Sequence, residues 1–526
     1  MLNIGRFAGR AWLEPSKFSG RSVIMGFSCL SRRLGKRNIN TTRMKYKKDL
    51  HPIIEENGVK KNVVDVLIMG GGVTGSALVY LLAKHTNIKS IVFLSDKKEA
   101  EKNLIYHLDK TIHSGETDTN ADLQHSFRLL KLSNMLRNLV KEFPGGVGNE
   151  LMEKRNKILL GLGEEENNRI EERFQEFRHF FPKIKLIDGK EISKLEPNIA
   201  YLDDFSSKLR KERMNGILLH DEYTSINYDI LSALFKKLAD EISFRKKSLI
   251  RNYVGMNVQS IKRISLDGEV YYKIDSGGKN IYSRFLVIND IGTVFNLVRE
   301  LGYCSDWIVL NMFGKFQNTV KGELRGIVSG LQSLSCPEST SVYGFPTIGS
   351  KNNIRFLASS YTLPISWLLK SMNLSDFSTI RDISSSPFGL FRNIKEKSLR
   401  DKIEKLKREV PLLINEQLIQ GSRRIIPSLN TNQLKDKQED FDISINQLLN
   451  ISGEKNEIIL DRSKIHTDEN LILNIAQPIS GTTCIGSASE DMITICNRLG
   501  ININENSLKK DIPEYEIHES DFQNDL

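Results

Sequence analysis

The stretch VVDVLIMGGGVTGSALVYLLAKHTNIKSIVFLSDK runs from Val63 to Lys97 and decides the fold class. A short apolar run, Val63 to Met69, leads into Gly70-Gly71-Gly72-Val73-Thr74-Gly75, an apolar helical pattern follows to about Leu82, and Ile91 to Leu94 reads as a second strand. Strand, glycine turn, helix and strand make half of a dinucleotide-binding βαβ unit. In that unit Gly70 permits the tight turn, Gly72 lets backbone approach a pyrophosphate, and Gly75 lets helix and sheet pack closely. The plainer reading is a glycine-rich turn in some other α/β protein. A hydropathy window also flags Val63 to Ala83 as membrane-spanning, but Asp65 and the glycine cluster argue for a protein core.

Outward from this unit, Thr111 to Asn120 (TIHSGETDTN) reads as a loop of turn formers, and Leu123 to Phe143 carries helical spacing. Ile158 to Gly163 reads as a strand, Glu164 to Phe181 as a charged helix ended by ISKLEP, and Asn227 to Ile242 as another helix. Val254 to Ile264 and Val270 to Ile274 form a meander expected to end at Gly277-Gly278. Phe285 to Asn289 then reads as a later parallel strand, and 306 to 361 as strand-like. Residues 363 to 410 read as helical and 430 to 470 as a poorly patterned loop. Leu471 to Ile475 is a strand, and Pro478-Ile479-Ser480-Gly481-Thr482-Thr483-Cys484 opens a helix to about Leu499. Its start offers a second helix N-terminus for a partially negative atom.

At 526 residues and 39% hydrophobic content the chain can bury a large core in about two domains. The net charge of +10 suggests nucleic acid or membrane until it is located. Residues 1 to 48 hold twelve Lys or Arg against Glu14 alone, which leaves 63 basic and 64 acidic residues in the body. Nucleic acid is therefore not an expected partner. The Arg-rich, hydroxyl-containing segment fits a mitochondrial transit peptide, or a basic arm. Five cysteines without CxxC, and nine histidines without HExxH, indicate neither a disulfide framework nor a metal site.

Five stretches in order, DVLIMGGGVTGSALVYLLAKHTNIKSI (65 to 91), TIHSGETDTN (111 to 120), LLGLGEEE with KLEPNI (159 to 199), RIIPSL (424 to 429) and NIAQPISGTTC (474 to 484), resemble the malate:quinone oxidoreductase family. That resemblance implies a mixed α/β fold: a Rossmann-like FAD-binding domain with an inserted antiparallel β-sheet substrate domain. It places a leader at 1–48 and FAD-binding parts at 60–145, 221–303 and 423–503. Substrate-domain parts fall at 146–220 and 304–422, with an acidic, disordered tail at 504–526. FAD would lie along Gly70, Gly72, Val73, Thr74 and Gly75, with Thr111 and His113 beside it and Ser480, Gly481, Thr482 and Thr483 facing the flavin. The implied activity is oxidation of (S)-malate to oxaloacetate, with electrons passed to ubiquinone at the inner mitochondrial membrane.

Departures fall mostly where substrate is expected. Ser95, beside Asp96, stands where relatives bind ribose with an acid, and Asp290-Ile291 where small residues are expected. Tyr343 stands in place of a histidine, Ala358-Ser359-Ser360 in place of a GPTA-like segment, and Gln447 in place of a substrate-binding arginine. Without Arg a dicarboxylate loses bidentate, charge-assisted binding, and alcohol oxidation still needs a base. His113 is a weak candidate for that base and equally a backbone-bonded loop residue. Arg424, Arg462 and His466 are candidates for carboxylate binding or plain structural residues. The alternatives are a degenerate, non-catalytic member of the fold, and an FAD dehydrogenase of another 2-hydroxy acid.

Overall fold

The computed structural model describes residues 53–56, 58–70, 72–95, 111–117, 122–143, 146–202, 209–255, 258–266, 268–289, 297–303, 307–319, 324–331, 342–346, 354–362, 421–429, 434–435, 442–452, 457–459, 464–467, 469–474 and 481–513. In chain order the elements used below begin with β1 (Val59–Met69), α1 (Val73–His85), β2 (Ser90–Ser95), α2 (Leu123–Lys141), β3 (Lys157–Leu162) and α3 (Gly163–Phe177). β4 (Ile184–Asp188), α4 (Gly189–Leu195), β5 (Met214–Leu219), α5 (Tyr228–Lys246), β6 (Leu249–Val254), β7 (Val258–Leu266), β8 (Glu269–Ser276) and β9 (Lys279–Ile288) follow. Then come β10 (Trp307–Thr319), β11 (Ile327–Gly330), β12 (Val342–Pro346), β13 (Ile354–Thr362), β14 (Asp442–Ser452) and β15 (Leu471–Leu473). α6 (Cys484–Leu499) and α7 (Glu505–Asp511) close the described chain.

Five parallel strands lie in the order β6-β2-β1-β9-β15, so the earliest of the five in the chain sits centrally and the winding reverses between β1 and β9. This is a doubly wound sheet with its switch point beside the glycine turn. β1 is buried on both faces. Val66 and Ile68 belong to the core that includes Leu78, Leu82, Leu136, Phe235 and Ile485 on one side, while Leu67 and Met69 belong to that of Val92, Leu286 and Leu471 on the other. Asp65, the charge inside the apolar run, has a structural task. Its carboxylate accepts the backbone N–H groups of Lys89 and Ser90, each at 3.0 Å, and so fixes the start of β2 against β1. Among the described residues no helix is long and apolar enough to cross a membrane.

Among the described residues the second sheet has ten strands, eight of them in the order β14-β10-β13-β12-β11-β3-β5-β4, with β4 at one edge. Its pairings are antiparallel as expected, except that β11 pairs with β3 in parallel. β14 also lies in this sheet, so the second sheet extends past the boundary expected at 423. The stretch from 430 to 470 is accordingly not a plain loop. In β14, Ile443, Ile445, Leu449 and Ile451 follow a period of two, which the surrounding polar residues obscure.

Three further expectations are corrected. Gly277-Gly278 does not end the meander but turns β8 into β9, whose C-terminal half is the apolar strand Phe285–Ile288. ISKLEP does not simply end the charged helix, because β4 and α4 intervene, and α4 is capped by the Asp188 carboxylate accepting from Glu191 N–H. Residues after Asn504 do not all form a disordered tail. Asn504 caps α7 through Ser507 N–H, and Leu508 and Ile512 are fully buried. His85 of α1, itself buried, bonds Ser507 and approaches Asp511 to 3.2 Å, which clips α7 to the nucleotide sheet. Residues 1–48, 363–410 and 514–526 lie outside the described residues.

Candidate cofactor crevice and the adjoining sheet face

The glycine turn has the geometry that close backbone approach requires. Gly70 has φ +110°, a conformation L side chains rarely adopt, and its N–H donates to Leu94 O at 3.0 Å. A Cβ on Gly75 would meet Gly70 O at 2.5 Å, the Phe93 ring at 3.0 Å and Asn289 Nδ2 at 3.1 Å. Gly72, the residue before α1, is different: a Cβ there meets nothing within 4 Å. The open side of the turn is therefore at Gly72, beside the free N–H groups of Val73, Thr74 and Gly75. Such a terminus suits an anionic diphosphate. Gly71 lies outside the described residues.

The crevice is bounded by the C-terminal ends of neighbouring strands. Asn289 N–H donates to Met69 O at 2.7 Å, and Asn474 N–H to Ile288 O at 2.9 Å. Behind them Asn474 donates to Asn289 Oδ1 and, at 2.7 Å, to the fully buried Asp491 carboxylate of α6. Lys464 in turn reaches Asp491 at 3.0 Å and Glu490 at 2.8 Å. Sequence reading missed this buried relay, whose members come from four separate stretches.

Two pieces predicted to flank the cofactor do meet. His113 N–H donates to Thr482 Oγ1 at 3.0 Å, and the Tyr228 hydroxyl lies 3.0 Å from Thr482 Oγ1 and 3.2 Å from Thr111 O. A Cβ on Gly481 would lie 2.4 Å from the Tyr228 ring, so this junction is tightly closed. Thr482 and Thr483 are buried just before α6. Ser480 lies outside the described residues.

Two arginines hold the histidine loop from opposite sides. Arg137 of α2, 2% exposed, donates to Ser114 Oγ at 3.3 Å and to Tyr223 O at 2.9 Å. Ser114 Oγ donates to the buried Glu116 at 2.7 Å. Burial draws the Arg137 pKa below its ordinary value, against the opposing pull of Glu116 and Glu222. Arg173 of α3 donates to Gly115 O and Glu116 O, at 3.2 and 3.3 Å. Gly115 has φ +88° and a Cβ there would press on the Ser126 backbone, so its glycine is obligatory. Neither arginine stood out in the sequence, where each looks like one more charge on an amphipathic helix.

The remaining candidates divide. Ser95 ends β2, is buried, and its Oγ has no hydrogen-bond partner among the described residues. Asp96, Asp290, Ile291 and Arg462 lie outside those residues. Arg424 donates to the buried Glu166 carboxylate, whose other oxygen accepts Leu162 N–H at 2.9 Å. It thus ties the LLGLGEEE and RIIPSL stretches together. Ile158, Leu160, Ile192, Ile425 and Ile426 share one core behind that contact. By register Tyr343 lies opposite Ser329 and Leu357, and Gln447 opposite Leu310. His466 pairs with Ile472 on the edge of the nucleotide sheet.

Glu196, from the LEPN segment, has a structural use as well. Fully buried, its carboxylate accepts Arg325 N–H at 2.9 Å and Gly326 N–H at 2.6 Å, and so aligns β11 beside β3. Burial pushes its pKa up to about 7, against the lowering effect of those two donors. The native state therefore binds the proton more tightly than the unfolded chain. This contribution to stability is full below about pH 4.5 and is lost as pH rises through about 7. Thermal unfolding from pH 5 to 8 should show that decline, and Glu196→Gln should flatten it. Glu196→Ala, which orphans both N–H groups, should cost about 3 kcal/mol in denaturant unfolding.

No family model matches the chain. Over 462 residues it is 24% identical to the malate:quinone oxidoreductase of Helicobacter pylori, covering 86% of this chain and 98% of that protein. Among solved structures, L-amino acid deaminase from Proteus myxofaciens, in complex with anthranilate, matches with a TM-score of 0.54 at 13% identity, over 85% of this chain and 93% of that one. L-α-glycerophosphate oxidase from Mycoplasma pneumoniae, with FAD bound, matches with a TM-score of 0.50 at 14% identity, over 83% and 95%. The chain is a distant homologue of the malate:quinone oxidoreductases and has the fold of FAD-dependent oxidases.

Proposed function

We propose that this distant homologue of the malate:quinone oxidoreductases is an FAD-dependent dehydrogenase that oxidises (S)-malate, or a closely similar 2-hydroxy acid, and passes the electrons to a quinone. The observation that carries the reading is the open side of the glycine turn. Gly72 faces free space at a helix N-terminus, while Gly75 and Gly70 are locked behind it. The residues present fit FAD. Gly70, Gly72, Val73, Thr74 and Gly75 would hold its diphosphate, and Ser95, whose Oγ has no hydrogen-bond partner among the described residues, holds the place from which an acid in relatives would bind ribose. Thr111, His113, Gly481, Thr482 and Thr483, with Ser480 next in sequence, would border the ring.

When bound, FAD supplies the two-electron acceptor that the oxidation of an alcohol to a ketone requires. This chain's residues orient and enclose. Tyr228 and Thr482 fix the histidine loop, and Arg137 and Arg173 keep its backbone in place. His113, on that loop, is the candidate for the base that takes the hydroxyl proton. The Arg-rich segment at residues 1–48 fits delivery to the mitochondrion, with ubiquinone at the inner membrane as acceptor. The reading is tested by anaerobic addition of a 2-hydroxy-acid panel to FAD-reconstituted protein. Bleaching of the flavin by malate, with oxaloacetate formed, is the expected result. Bleaching by another hydroxy acid alone reassigns the substrate, and no bleaching by any of them overturns the dehydrogenase reading.

A further inference from the structure

Asn289 follows β9 directly at the edge of the crevice, is 4% exposed, and ends the relay that begins at Lys464. The relay has one consistent polarity. The Lys464 ammonium can only donate, and it does so to Asp491 Oδ1 at 3.0 Å, Glu490 at 2.8 Å and Ser487 O at 2.7 Å. Burial pulls the Lys464 pKa down, but Asp491 and Glu490 outweigh it and hold the group above its ordinary value, so it is a cation. The other Asp491 oxygen accepts from the Asn474 amide nitrogen at 2.7 Å, and that same nitrogen donates to Asn289 Oδ1. Turning the Asn474 amide over would set its oxygen against two acceptors. Turning Asn289 over would set donor against donor.

The Asn289 oxygen is thereby held toward Asn474, which leaves its N–H2 for α1. A Cβ on Gly75 would lie 3.1 Å from Asn289 Nδ2 and 2.5 Å from Gly70 O. Cα–Cβ bonds lean toward the start of a helix, so the positive end of the amide lies on the N-terminal side of Gly75, level with the glycine turn. The Asn289 backbone is tied to the same turn, because its N–H donates to Met69 O at 2.7 Å. The helix end it faces carries partial positive charge from its free N–H groups. Its first turn holds no acidic residue, and its N-cap, Gly72, makes no side-chain capping bond. Helix field and amide dipole therefore add. Since Asn289 is buried, it acts on a bound anion through space and not by contact, where the low local dielectric preserves the effect.

We propose that Asn289, its amide locked by the Lys464–Asp491–Asn474 relay, strengthens the binding of a diphosphate at the glycine turn without touching it. The inference rests on the FAD reading above and adds an electrostatic residue from the strand across the switch point.

The test titrates the full chain with FAD, and with ADP, which carries the diphosphate without the flavin. Asn289→Leu removes the dipole at similar size, and both affinities should fall about three- to tenfold. Asn289→Asp keeps the oxygen that accepts from Asn474 and puts a second oxygen where the N–H2 stood. At about pH 8 that carboxylate should weaken both ligands about 30-fold relative to the parent. At about pH 5 the buried carboxyl is protonated and neutral, and most of the loss should disappear. Gly75, Asn474 and the Met69 carbonyl around residue 289 do not titrate, and Asp491, Lys464 and Glu490 beyond them are common to parent and variant. Circular dichroism at both pH values restricts the comparison to folded protein. A merely structural Asn289 gives folded variants that bind as the parent does, or lose the same affinity at both pH values, and either result would overturn the inference while leaving the flavoprotein reading standing. The expected pattern with ADP in a chain that takes up no FAD would support the inference while the flavoprotein reading fails. A parent that binds neither ligand overturns both. Should the Asp variant not fold, a folded Asn289→Leu protein with parental affinity is the overturning result.

Discussion

Gly72→Ala should leave the folded chain nearly as stable as the parent and reduce its affinity for FAD by about 100-fold or more, whereas Gly75→Ala should damage the fold itself. A methyl group on Gly72 meets no protein atom within 4 Å, and its φ of −63° is open to alanine. The cost to stability is that of a poorer helix cap, about 1 kcal/mol. The methyl would instead occupy the approach to the free N–H groups of α1, where a diphosphate must come close. At Gly75 the intruding Cβ meets the Gly70 carbonyl, which belongs to a turn fixed to Leu94 and cannot withdraw. Overpacking there should cost about 3 kcal/mol. Denaturant unfolding, paired with fluorescence titration of FAD into each variant, separates the two effects. Equal FAD affinity in the Gly72→Ala protein and the parent would remove the glycine turn from the cofactor site.

Arg137→Met should be the most destabilising single change around the histidine loop, at about 3–5 kcal/mol. The guanidinium is nearly all buried and satisfies Ser114, Ser133, Asn134 and the Tyr223 carbonyl, while Glu116 and Glu222 lie close enough to oppose the effect of burial on it. Its removal leaves the buried Glu116 carboxylate accepting from Ser114 Oγ but without the opposing guanidinium charge. An additional Glu116→Gln change should recover part of the loss, because it removes the stranded charge. Urea unfolding of the two single variants and the double variant measures that recovery. Strict additivity would show that Arg137 and Glu116 are not coupled.

The nucleotide half of the fold was legible because its signals are local. One continuous stretch holds the apolar strand, the turn glycines and the helix, and the physical demand on each glycine is met within a few residues. The histidine loop and the 481–483 turn were found as stretches, but their meeting was not: Tyr228 joins them from a helix more than a hundred residues from either. Arg137 and Arg173 were missed for a related reason. A charge on an amphipathic helix looks solvated until the packing partner is known. β14 was misread because Gln447 and the polar residues at alternate positions mask a regular period of two. The α7 helix was hidden by its position near an acidic tail, although Asn504 and Leu508 carry the cap and the anchor. The Glu196 clamp explains why a Leu-Glu-Pro sequence is useful here: Pro197 starts a short helix and the acid before it binds two N–H groups of a distant strand.

FAD held in the crevice beside Gly72, as proposed, should stay with the chain when free cofactor is removed. Purified chain, incubated with FAD, desalted and then denatured, can be assayed for released cofactor by chromatography and mass. About one FAD per chain, falling sharply in the Gly72→Ala variant, is the expected result. No retained flavin in a folded parent protein would contradict it.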